Sequence, residues 1–181
     1  IKSYSGYIQV QDEDFWENRT VDNVFGDNEE VREKISRHGN VKDLIPRFES
    51  FALASSGSRS KGVMVMGIDP EREKLLSDVE SSLVRYRLTD EAINAIRAED
   101  IPAYLNKNLE LFRDNSYSSD GRMQIDLGIK KSDEEALMPL LTRHAGEDNG
   151  YFRLGEESAL VGDRLSRYFG LERGDTIRLI G

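Results

Sequence analysis

The sequence predicts a mixed α/β (α+β) chain, and three observations carry that reading. Near both ends, short runs alternate apolar and polar residues, the two-residue period of a half-buried strand; Tyr7–Gln11 and Thr176–Leu179 are the clearest. From Thr89 to about Thr142 the apolar residues instead fall at helical spacing behind capping residues. The 181 residues are 38% hydrophobic and 33% charged. Such a charged share exceeds the usual ~25% and implies much surface for each unit of core, as in an elongated module or two small lobes. A chain this long still buries roughly 70% of its unfolded surface.

Taken in order, Tyr7-Ile8-Gln9-Val10-Gln11 reads as a strand. Asp27-Asn28 caps a short helix over 29–37, with Val31 and Ile35 on one face and Gly39 at its stop. Val41 to Ala54 is a strand region interrupted at Pro46, and both of its faces carry apolar side chains. Ser55 to Gly62 is a turn by composition, and Val63–Ile68 is a buried strand, so the two runs form a hairpin. Asp69-Pro70 opens a helix whose stripe is Leu75, Leu76, Val79 and Leu83.

Thr89 starts the next helix, and Ile101-Pro102 starts another. Asn115 to Gly121 is a polar loop. Met123, Ile125 and Leu127 alternate as a short strand. Ser132 and the acids after it cap a helix carrying Ala136, Leu137, Leu140 and Leu141. Ala159–Val161 is strand-like, 162–169 is a short helix closed by Gly170, and Thr176–Leu179 is the last strand. Beginning and ending within apparent strands, the chain reads as a piece of a longer protein.

Net charge is −9, which argues against nucleic acid as a partner. No run approaches the ~20 apolar residues of a membrane helix. With no cysteine there is no disulfide or thiolate chemistry. His38 and His144 stand in unrelated contexts and read as surface residues rather than metal ligands. The turn around Ser58 lacks a nucleophile elbow, and no glycine loop is followed by Lys and Ser or Thr. Asp12, Glu13, Asp14 and Glu17 lack calcium-loop spacing and read as a solvated loop, as do Asp148 and Asn149 between glycines. No catalytic, cofactor-binding or metal-binding set emerges. Phe15 and Trp16, adjacent aromatics among acids, are the residues marked for partner contact, with coverage of a small core as the competing reading.

An ordered series of segments goes further: Gly6–Val10, then Phe15–Asn23, then Leu44–Ala54, then Lys61–Glu73 with its Gly-Ile-Asp-Pro, and last Ala159–Leu179 with Leu165-x4-Gly170-Leu171-x2-Gly174-Asp175-x-Ile177-x-Leu179. In this order they resemble the periplasmic (MacB-like) core domain of FtsX-like ABC transporter permeases, the macrolide-exporting and lipoprotein-releasing (LolC/LolE) group. The resemblance spans roughly residues 1–85 and 155–181. It implies a periplasmic core α/β body, 1–88 with 151–181, incomplete at its C-terminal end, and a mainly helical insertion over 89–150. It also implies a non-catalytic domain of a bacterial inner-membrane permease, facing the periplasm. ATP hydrolysis would lie on a separate ATPase subunit or domain. The permease would act as a homo- or heterodimer on a lipoprotein, lipid or peptide, lipoprotein release being the preferred branch. A stand-alone envelope binding or adhesion module is the alternative.

Overall fold

A computed structural model describes residues 8–15, 17, 23–152, 155 and 157–181. It is a mixed α+β chain with seven helices and small antiparallel sheets among those residues. It divides into two compact units: Ile1–Val79 with Phe152–Gly181, and Glu80–Tyr151. None of the described helices is long and apolar enough to cross a membrane.

In the first unit, α1 (Glu29–Ser36) starts where the Asn28 side chain accepts from the Val31 N–H at 3.0 Å. Strands β1 (Arg47–Ser56) and β2 (Arg59–Ile68) run in register from Arg47 opposite Ile68 to Ser56 opposite Arg59. The expected eight-residue turn is therefore a two-residue one. Gly57 takes φ +56° as its first central residue, the position where a type II′ turn needs glycine. Helix α2 (Pro70–Leu76) follows at once, its first turn capped by the Asp69 carboxylate, which accepts from Glu71 and Arg72 at 3.1 and 3.2 Å.

Helix α2 does not carry the expected stripe through Leu83. Ser77 is already extended, and a single 3-10 turn follows at Glu80–Ser82. The expected strand at 7–11 is absent over 8–11, and Ala159–Val161 is also irregular; Ile8, Val10 and Leu160 are exposed. Tyr7 lies outside the described residues.

The second unit holds the large core. Strand β3 (Tyr86–Arg87) enters it, and α3 (Asp90–Arg97) and α4 (Ala103–Leu111) follow. Strand β4 (Ser116–Tyr117) pairs antiparallel with β3. Helices α5 (Asp120–Leu127) and α6 (Glu134–Ala145) complete it. Fourteen buried side chains, all between Tyr86 and Ala145, form one cluster, with Leu88, Ile93, Ile96, Leu105, Leu109 and Met123 fully inside.

The strand expected at Met123–Leu127 is a helix. Ser119 caps its start and Gly128, at φ +64°, ends it. Met123 and Leu127, four apart, point inward while Ile125 is 72% exposed. Helix α6 begins one residue later than expected, with Asp133 as N-cap. The Asp133 carboxylate is already taken by the Tyr104 hydroxyl at 2.6 Å and the Ser132 hydroxyl at 2.7 Å, so it makes no capping bond. Both donors hold the Asp133 pKa below the ordinary aspartate range.

The first unit resumes with α7 (Asp163–Phe169), ended by Gly170 at φ +68°, and β5 (Arg178–Ile180). Strand β5 pairs antiparallel with β1, setting Leu53 opposite Ile180 and Ser55 opposite Arg178. The sheet order is β2-β1-β5.

Candidate interaction site

Two features of the first unit have the shape of a binding surface. One is a cleft of about 940 Å³. Phe15, Phe25, Val31, Ile35, Ile45 and Leu76 contribute apolar wall. Asp12, Asp27, Asp43 and Glu49 also line it, against Arg32, Lys42, Arg47 and Arg72, so its charges balance. Several of those cations are held: Arg32 pairs with Asp27, and Arg72 lies 3.6 Å from Asp69. Arg47 donates from Nε to Glu73 at 3.0 Å and makes a second contact through its terminal nitrogen. A cleft of this size falls in the range of pockets that hold whole small molecules.

Behind the cleft wall, Glu73 is almost completely buried. Burial raises its pKa, but hydrogen bonds from Arg47 and Ser77 and the Arg47 charge outweigh that and hold it below the ordinary glutamate range.

The second feature is the open face of the sheet. The register puts Phe51 and Leu53 of β1, Met64 of β2 and Ile180 of β5 on one side, because directly opposed residues of an antiparallel pair share a face. All four are about half exposed: 57%, 46%, 49% and 55%. Gly62 stands opposite Leu53 and brings no side chain, and a shallow depression of about 300 Å³ opens there. No carboxylate occurs between Ser50 and Ile68.

The opposite face is covered near the hairpin turn by α7. The Arg59 guanidinium donates to the Tyr168 carbonyl, and the Tyr168 hydroxyl donates to the Ser60 carbonyl at 3.4 Å. Lys61 sits 4.9 Å from the centre of the Tyr168 ring, within cation–π range. Ala54 is fully buried and Phe169 nearly so.

Of the aromatic pair marked from the sequence, Phe15 is buried and forms cleft wall; Trp16 lies outside the described residues. His144 lies 3.6 Å from Glu99 in the second unit. Among the described residues no group of three His, Cys, Asp or Glu side chains could hold a metal ion. The open sheet face was not singled out from the sequence. Its signal was the apolar character of both faces of 48–54, which reads equally as a strand covered on both sides.

No family model, no curated protein and no solved structure matches this chain.

Proposed function

We propose that this chain is a non-catalytic extracytoplasmic domain of an FtsX-like ABC transporter permease, a MacB-like core with a helical insertion. In this reading it couples the motion of membrane helices to the handling of an envelope substrate, preferentially in lipoprotein release. One observation carries the reading. Segments far apart in sequence that bear the resemblance, 44–73 and 159–179, lie in one unit, where β5 pairs with β1 and the Arg59 side chain reaches Tyr168. The residues read as an insertion, 89–150, fall in the other unit, which has its own core and also takes in 80–88.

The physical role follows. A domain that transmits motion needs a stiff body and a surface that grips. The sheet clamped by α7 supplies the first, and the exposed Phe51, Leu53, Met64 and Ile180 supply the second. The ATPase subunit and the second permease subunit would act through the membrane part of the parent protein. The alternative, a stand-alone envelope binding module, draws on the same exposed face and needs no membrane helix.

One measurement separates these, and a second tests the permease reading by itself. Reading the gene on both sides of these codons should show an apolar helix of ~20 residues shortly upstream and three more downstream. A cleavable leader with no membrane helices would favour the stand-alone module. The purified chain should hydrolyse no ATP, and turnover that survives rigorous purification would sink the permease assignment.

A further inference from the structure

Asn149 precedes Gly150, the one Asn-Gly step in the sequence. It lies beyond α6 in a segment without regular structure, half-buried, and Gly150 is exposed with nothing within 4 Å of where a side chain would stand. The Asn149 Nδ2 donates to the Val84 carbonyl at 2.8 Å. Beside it the Glu147 N–H donates to the Arg85 carbonyl at 2.7 Å, and Tyr86 bridges Gly146. The segment leaving the second unit is thus stitched to the residues that enter it, and Asn149 makes one of the stitches.

We propose that Asn149 is a site of self-modification, at which its amide becomes a carboxylate through attack by the Gly150 backbone nitrogen, and that this change undoes its stitch to Val84. The Gly150 nitrogen gives up its proton to solvent base and bonds to the Asn149 Cγ. The Cγ–Nδ2 bond breaks, and Nδ2 takes a proton and leaves as ammonia. Water then opens the five-membered imide at either carbonyl, giving aspartate or isoaspartate. The balance is one water consumed and one ammonia released, with no change of oxidation state.

The site is set by its neighbour. Glycine has no Cβ to obstruct the attack and reaches the strained backbone shape at least cost. Asn108 supplies the contrast: its Nδ2 donates to the Leu127 carbonyl at 2.9 Å, but Leu109 follows it inside α4. The hydrogen bond to Val84 restrains the Asn149 side chain, so reaction proceeds from moments when the departing segment frays. Once formed, the carboxylate only accepts hydrogen bonds. It then faces the Val84 carbonyl, another acceptor, and the stitch is lost. The isoaspartate product adds a methylene to the backbone as well. The change runs one way, and the inference does not depend on the permease reading.

The test is incubation of the intact chain in mildly alkaline buffer, followed by peptide mapping. The expected result is conversion of –NH2 to –OH at Asn149 ahead of every other asparagine, with both products present, ammonia released in equal amount, and a rate that rises with pH. Gly150→Ala, which the open space accommodates, should slow it severalfold. Conversion at Asn149 no faster than at Asn108, or a Gly150→Ala chain as reactive as the native one, would overturn the chemistry. Asn149→Asp tests the release directly. Amide hydrogen exchange over 84–86 and 146–149 should quicken about tenfold, as for loss of one hydrogen bond; unchanged exchange would overturn that part.

Discussion

Glu73 shows how much of this fold one charge can hold. It is the charged side chain buried outright among the described residues, and Arg47, its partner, is itself only 10% exposed. Removing one member of such a pair strands the other. Glu73→Gln is therefore expected to destabilise the first unit by about 3 kcal/mol in urea unfolding. Arg47→Met combined with Glu73→Leu should recover much of that loss, since both charges leave together. The pH dependence follows from the depressed pKa of Glu73. Its contribution is fully present above the unfolded glutamate pKa and is lost as pH falls through the folded one. Acid unfolding of the first unit should accordingly shift to higher pH in Glu73→Gln, because that variant starts without the stabilisation. None of this was legible in the sequence, where the partners stand 26 residues apart and Glu73 looks like one more acid on a solvated helix. Phe15 was legible as unusual, and it stands buried in the cleft wall.

At the scale of elements, local chemistry decided more than periodicity did. Helix ends with strong caps were read within a residue or two: the starts at Asn28 before α1, at Asp69 and Pro70 of α2 and at Thr89 before α3, and the stop at Gly170 after α7; the uncapped far end of α2 was read out to Leu83 and lies at Leu76. Helix α5 was misread because three apolar residues two apart fit a strand, while two of them four apart fit a helix equally well. Ser119 and Gly128 at its ends were the better guide. The structure makes a sharp distinction here. Ile125→Glu should change stability by less than ~0.5 kcal/mol, as for a surface site. Met123→Ala should cost about 3 kcal/mol through the cavity it leaves. A strand with all three side chains on one face would make both changes costly, so thermal melts of the two variants decide between the readings. The misreadings at 8–11 and 159–161 have another cause. Alternation specifies a strand only when a neighbour supplies hydrogen bonds, and a sequence does not say where the neighbour is.

Over the whole molecule, the two units bury their apolar residues very differently. The second keeps them inside, with only Leu111 and Ile125 standing out among its large side chains. Among the described residues of the first, few are fully buried, Phe15, Ala54 and Phe169 being the apolar ones, and many stand exposed, from Ile8 through Phe51 to Ile180. Their stabilities should therefore separate. In a urea titration followed by amide exchange, 29–76 should lose protection at lower denaturant than 86–145, and residues 80–151 expressed alone should melt cooperatively. A single transition shared by all amides would contradict this. The helical character of the middle was legible from its periodicity; the sparse core of the first unit was not, because composition counts apolar residues without saying which are covered.

The stitching of Val84 to Asn149 and of Arg85 to Glu147 also has a genetic consequence. Where the chain enters and leaves a folded segment at neighbouring points, that segment behaves as a removable cassette. Codons 80–151 could be cut out and the gap spanned by a few glycines, or moved into an exposed loop of an unrelated host, at little topological cost.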